Sequence, residues 1–227
     1  MRTKRNIALV GNPNSGKSSL FNLMTGLDQK IGNFPGVTVE KRTGNSRLSS
    51  TRGYNIIDLP GSYSIYPRRA DESVSYVSLM DPWGTTNIDT YVVVTDASNI
   101  GRNLLYVSQI IDLGKPVIVA LTMMDILKKR GSTIDIDKLS ELLGVPLICI
   151  NPRLSEGIEL LDATISNFSA GQNIKNRAQF IESVSLAPEA IKSVQGIFTK
   201  LTDYGALQYL MNHDQFNLSD DVRKQLE

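Results

Sequence analysis

Short, nearly continuous apolar runs rich in β-branched residues recur along the chain at 7–10, 54–59, 91–95, 117–121 and 147–150. A half-exposed strand alternates apolar and polar positions, whereas a run that is apolar throughout has both faces covered, as in a parallel sheet between two helical layers. Between these runs, 18–25, 73–80, 102–113, 136–143 and 158–168 carry apolar residues at helical spacing. Gly114 and Gly144 directly follow the third and fourth of these segments, where a chain leaves a helix through a left-handed residue. The alternation predicts a doubly wound α/β fold with a mostly parallel sheet. At Ser169-Ala170-Gly171-Gln172-Asn173 the pattern gives way to a small polar linker, and from about Lys175 onward the chain has helical character without a comparable strand. The expected organisation is an α/β domain over 1–170 and a small α-helical domain over 171–227. Leu, Tyr and Met at helical spacing in 201–211 form a packing stripe rather than a cofactor-binding surface.

Composition narrows the functional classes. Apolar residues make up 41% of 227, enough for a core that needs no staples. With 24 basic and 23 acidic residues the net charge is +1, which argues against nucleic acid or an anionic membrane surface as partner. The single cysteine, Cys149, cannot form an internal disulfide and is expected to be a small buried core residue. No signal peptide precedes Arg5, and no apolar run approaches the roughly 20 residues of a membrane span, so a soluble cytoplasmic chain is expected. His213, the only histidine, lacks companion ligands and is expected to be exposed, and Trp83 between Pro82 and Gly84 is expected to anchor a loop.

Gly11-Asn12-Pro13-Asn14-Ser15-Gly16-Lys17-Ser18 matches G-x-x-x-x-G-K-[ST] directly after one predicted strand and before a predicted helix. In such a loop the glycines let successive backbone N–H groups turn inward toward a phosphate, and the helix presents its positive end. Lys17 would reach the β- and γ-phosphates, and Ser18 would offer a hydroxyl to Mg²⁺. Asp58-Leu59-Pro60-Gly61 ends a strand on the same sheet edge, placing a carboxylate near the metal and the Gly61 N–H near the γ-phosphate. Between them, Gly32-Asn33-Phe34-Pro35-Gly36-Val37-Thr38-Val39-Glu40 forms a loop ahead of an extended stretch, with Thr38 the candidate hydroxyl that closes over Mg²⁺.

Taken together, Gly11 through Lys17, Gly32 through Glu40 and the run Asp58-Leu59-Pro60-Gly61-Ser62-Tyr63-Ser64 resemble the cytosolic N-terminal G domain of FeoB, the bacterial ferrous-iron transporter family. The similarity runs through about residue 168 and continues more weakly in 204–214, within the helical domain that follows in that family. The resemblance implies a Ras-like G domain that is a fragment of a larger protein at the cytoplasmic face of the bacterial inner membrane. It implies a GTP-binding, slowly hydrolysing switch that regulates iron transport through a membrane-embedded portion. Small accessory Feo proteins are further implied partners, with self-association into a homo-oligomer left open. Phosphate contacts fall on Asn12, Asn14, Ser15, Gly16, Lys17, Ser18 and Ser19; Mg²⁺ contacts on Ser18, Thr38 and Asp58; the first switch on Gly36, Val37 and Thr38; and γ-phosphate sensing on Asp58, Leu59, Pro60 and Gly61. Relatives with Asn at the position of Asn14 use it to hold K⁺ beside the phosphates, so K⁺-stimulated hydrolysis is expected. Ser62 stands where Ras-like enzymes place a water-orienting Gln and is too short for that task, while Glu72 is expected to be a solvated carboxylate.

The base site departs from the usual pattern. Thr122-Met123-Met124-Asp125 follows a predicted strand where Asn-x-x-Asp is usual; Asp125 is in place to accept from the ring N–H and exocyclic amine of guanine. In the third base-contacting segment Asn151-Pro152-Arg153 replaces Ser-Ala or Ser-Thr before Arg, and Pro152 has no N–H for the guanine oxygen. Base contacts are therefore expected from Thr122, Met123, Asp125, Asn151, Pro152 and Arg153, with weakened GTP preference and some tolerance of ATP. A free-standing GTPase of RNA or ribosome assembly would call for a basic nucleic-acid module, which the charge balance does not supply.

Overall fold

The computed structural model describes residues 5–33, 40–81, 87–168 and 179–216. Gly36, Val37, Thr38 and Trp83 lie outside the described residues. The N-terminal portion contains β1 (Asn6–Gly11), α1 (Lys17–Thr25), β2 (Gln29–Asn33), β3 (Glu40–Asn45), β4 (Asn55–Asp58) and α2 (Ala70–Met80). It continues with β5 (Thr90–Asp96), α3 (Ile100–Asp112), β6 (Val117–Thr122), α4 (Met124–Lys129), α5 (Ile136–Leu143), β7 (Leu147–Cys149) and α6 (Ile158–Asn167). The expected linker at 169–173 lies outside the described residues; beyond it come α7 (Pro188–Ile197) and α8 (Asp203–Met211).

The strands form one seven-stranded sheet in the order β2-β3-β4-β1-β5-β6-β7. From β4 to β7 all neighbours are parallel, and β2 and β3 add an antiparallel edge. Each predicted apolar run is a strand, and their period of two sorts side chains onto opposite faces. In β1, Ile7 and Leu9 join a core with Leu20, Phe21 and Met24 of α1 and Leu161 and Ile165 of α6. Ala8 and Val10 point into the other core, with Tyr106 and Ile110 of α3 and Leu79 and Met80 of α2. The expected glycine exits hold: Gly114 has φ 73° just past α3, and Gly144 caps α5 at φ 65°.

Two features go beyond the sequence pattern. Gln29–Asn33 and Glu40–Asn45 form a polar hairpin whose first strand is exposed from Lys30 to Asn33, so it has no apolar face to betray it. Gly32 and Asn33, expected in a loop, therefore lie in a strand, held by cross-strand pairing with Lys41 and Glu40. The other addition is α4, too short for helical periodicity to develop.

The C-terminal helices share the core of the α2/α3 face: Ile191, Val194, Phe198, Tyr204, Tyr209 and Phe216 belong to the same buried cluster as Tyr76 and Tyr106. The Tyr76 hydroxyl donates to the Gln208 carbonyl at 2.8 Å, and its ring lies 5.7 Å from that of Phe216. Asp112 at the end of α3 accepts from the N–H groups of Phe180 and Ile181, and its own carbonyl accepts from Thr202 at 2.6 Å. His213 is half-buried rather than exposed, with Nδ1 3.1 Å from the Leu210 carbonyl, because the chain folds back on the end of α8.

Candidate functional site

The sheet order reverses direction at β1, whose neighbours are β4 and β5. In parallel α/β sheets such a switch point opens a crevice at the strand carboxyl ends, where ligands bind. The loop from Gly11 to Lys17 fills this place. Gly11 runs so close to β5 that a Cβ would fall 2.3 Å from the Val94 carbonyl oxygen, so glycine is required. Asn14 is exposed with φ 64°, and Gly16 is the N-cap of α1 with no side-chain cap and no acidic residue in the first turn. The first-turn N–H groups and the positive helix end are thereby left for an anion. Ser15 is buried with Oγ unpartnered among the described residues, whereas Ser18 and Ser19 are exposed.

Asp58 sits level with Leu9 in the β1–β4 pairing and forms an ion pair with Lys17, both side chains nearly buried. The segment beyond it is clasped to the phosphate loop. The Ser62 N–H donates to the Gly11 carbonyl at 3.1 Å, and the Asn12 side-chain amide donates to the Ser62 carbonyl at 3.2 Å. Gly61 packs flat on this contact, where a Cβ would meet Pro13 N, Gly11 O and Pro13 Cα at 3.2–3.3 Å. Ser62 is buried, and its hydroxyl closes a local turn by donating to the Ser64 carbonyl at 2.5 Å. Farther along, the Ser75 hydroxyl donates to the Pro60 carbonyl at 2.7 Å and the Ile65 N–H donates to Gln109 on α3 at 3.1 Å. Glu72 is buried, not solvated: its carboxylate accepts from the Arg68 N–H at 2.8 Å and faces Arg69, closing the entry to α2. The Asn12 clasp and the Gln109 tether left no signal in the sequence.

On the other side of the loop, the buried Thr122 hydroxyl donates to the Ser15 carbonyl at 2.7 Å. Its side chain thus braces the phosphate loop. Met123 follows with φ 57°, and Asp125 is exposed in the first turn of α4. A cavity of about 320 Å³ brings Asp125 together with Asn151, alongside Lys128, Cys149 and Glu156. Thr122, Met123, Pro152 and Arg153 do not line it. Cys149 is half-buried at the end of β7 rather than in the core, and burial pushes its thiol up. The segment after β7 consumes its own backbone groups: the Asn151 N–H donates to Glu156 O, and the N–H groups of Leu154 and Glu156 donate to Asn151 O. Gly157, φ 71°, permits the return into α6.

Among the described residues no cluster of three or more His, Cys, Asp or Glu side chains could hold a metal ion, and no helix is long and apolar enough to cross a membrane. The oxygen donors of Ser18 and Asp58 are of the type Mg²⁺ takes alongside water and phosphate. The exposed Asn14 offers a neutral amide oxygen suited to a monovalent cation.

The sequence family described as ferrous iron transport protein B matches residues 5–165. The chain is 42% identical over 163 residues to the Fe(2+) transporter FeoB of Leptospira biflexa, covering 72% of this chain and 23% of that protein. It is 40% identical over 172 residues to the Fe(2+) transporter FeoB of Shigella flexneri, covering 76% and 22%. The chain therefore spans under a quarter of the length of the curated relatives it matches. Among solved structures, a variant of S. thermophilus NFeoB bound to GDP has a TM-score of 0.79 at 33% identity, covering 98% of this chain and 87% of that one. The cytosolic domain of L. pneumophila FeoB gives 0.75 at 36% identity, covering 90% and 78%.

Proposed function

The chain belongs to the ferrous iron transport protein B family, and from that premise we propose that it is a guanine-nucleotide switch which hydrolyses GTP slowly and regulates iron passage through a membrane-embedded portion of the same protein. The observation that carries the reading is the junction of the phosphate loop with Asp58 and Gly61 at the carboxyl ends of β1 and β4, with Asp125 in the cavity beyond β6. Similar S. thermophilus NFeoB variants bind GDP and GMPPNP.

In this reading the N–H groups at the start of α1 and the Lys17 ammonium take the phosphates. Lys17 would exchange Asp58 for the more highly charged phosphate oxygens, and Ser18, Thr38 and Asp58 would hold Mg²⁺. Bound Mg²⁺, and K⁺ beside Asn14, would neutralise phosphate charge. Gly61 can reach the γ-phosphate through its backbone alone, and the Asn12–Ser62 contact makes the following segment responsive to that phosphate. Slow hydrolysis follows from Ser62, whose hydroxyl is committed to Ser64 and has no reach to orient a water. The 1–170 and 171–227 portions act as a switch and an attached helical unit. Accessory Feo proteins and further copies of the chain are proposed partners at the cytoplasmic face of the inner membrane.

Calorimetric titration with GDP in Mg²⁺ tests the binding site. Saturable one-to-one binding is expected, and Lys17→Ala should weaken it roughly 10- to 150-fold, the worth of one charge-assisted hydrogen bond. Equal affinity in the two proteins would remove Lys17, and the phosphate loop with it, from the site.

A further inference from the structure

The guanine 6-oxo group needs a donor, and Pro152, at the position expected to supply one, has no N–H. The bonded N–H groups of the turn do not replace it, and Ser155, whose N–H makes no hydrogen bond among the described residues, does not line the cavity. The Asn151, Leu154 and Glu156 N–H groups are spent within the turn, and the Arg153 N–H donates to Asn151 Oδ1 at 3.2 Å.

That last bond has a chemical consequence. An N–H can donate only to the oxygen end of an amide, so the contact fixes which end of the Asn151 side chain faces the turn. The Nδ2 end is left with two N–H donors and makes no hydrogen bond to protein among the described residues. Asn151 lines the same cavity as Asp125, which is large enough for a purine edge. Asp125 is an acceptor suited to the guanine N1–H and 2-amino groups, so the cavity sets this carboxylate and that of Glu156 beside one oriented amide donor. Lys128 also reaches it, but a flexible ammonium has no set direction and discriminates poorly between acceptors.

We propose that the Asn151 side-chain amide reads the 6-oxo group of guanine in this protein, supplying through a side chain the donor that Pro152 withdraws from the backbone. The assignment rests on the guanine-nucleotide reading above and names the residue that sets base preference within it. An adenine 6-amino group would meet the same Nδ2 donor head-on, which disfavours ADP.

Asn151→Asp is the discriminating variant. An Asp oxygen still accepts from the Arg153 N–H, so the turn keeps its bond, while the cavity end changes from donor to acceptor. GDP, IDP and ADP are titrated into both proteins, with thermal melts to establish that both are folded. Asn151→Asp is expected to lower the GDP-to-ADP affinity ratio about tenfold or more, with GDP and IDP weakened alike because both carry the 6-oxo group. A uniform loss for all three, which would be repulsion of the phosphates, overturns the assignment, as does an unchanged ratio or a loss for GDP without one for IDP. Failure of the unaltered chain to bind GDP overturns the guanine reading itself and this assignment with it.

Discussion

A lysine and an aspartate held together nearly out of water offset part of the desolvation cost that each would carry alone. Lys17 and Asp58 are such a pair, and the proposed function gives each of them another partner once a nucleotide is bound. The pair is a resting arrangement that a triphosphate with its metal can replace, since it offers the ammonium a more highly charged partner. At the candidate base end Pro152 has no N–H and lies outside the cavity that Asn151 and Asp125 line. With the donor supplied by Asn151, Pro152→Ala is expected to leave GDP affinity within about twofold by calorimetry. A gain of about tenfold would mean that the backbone at this position, not Asn151, meets the base. The phosphate loop and Asp125 were legible because their chemistry lies in a few consecutive residues. The role of Thr122 was not, since its partner Ser15 lies 107 residues away and its hydroxyl serves the loop. Asn12 is similar: its neighbours suggest a phosphate ligand, yet its side chain reaches Ser62 across 50 residues.

Among the elements, α6 is tied to the sheet by a buried carboxylate. Asp162 accepts from the N–H groups of Ser50 and Thr51 and from the Thr51 hydroxyl at 2.6–3.0 Å, fixing the turn between β3 and β4. Its removal takes the carboxylate acceptor from the buried Thr51 N–H, while the Thr51 hydroxyl keeps Ser46 Oγ at 2.8 Å. Asp162→Ala is expected to cost about 3 kcal/mol in urea unfolding while leaving GDP affinity unchanged, because this end of the sheet is remote from the phosphate loop. A cost below about 0.5 kcal/mol would show that water satisfies the turn equally well. The buried strands were readable because apolar side chains cover both of their faces. The hairpin of β2 and β3 was not, because its stability comes from pairing to β4 through Arg42↔Asp58 and Thr43↔Ile57 rather than from an apolar face. A polar strand of this kind becomes visible only with its partner.

For the molecule as a whole, the C-terminal helices are built into the core beside α2 and α3. Asp112 holds the chain where it rejoins the body at Phe180 and Ile181. Burial pushes its carboxyl up from the usual aspartate range, and those two N–H donors partly counter the shift. The folded chain therefore keeps this proton to higher pH than the unfolded chain, and the contribution to stability falls as pH rises from the ordinary aspartate value, about 3.9, through the raised one. Above that it is level. Asp112→Asn, which cannot ionise, should show a smaller fall of the thermal midpoint across that window; an identical pH profile would exclude Asp112 as its source. The small polar run at 169–173 lies outside the described residues, and the docking beyond it depends on Tyr76, Gln208 and Phe216 meeting across the fold, which no local pattern encodes. The central claim, that this chain is a slow GTP-hydrolysing switch, is tested most directly by phosphate release from GTP in MgCl₂, measured in KCl and in NaCl. Slow release from GTP that is faster in KCl is predicted, and absence of GTP hydrolysis in both salts would contradict the account.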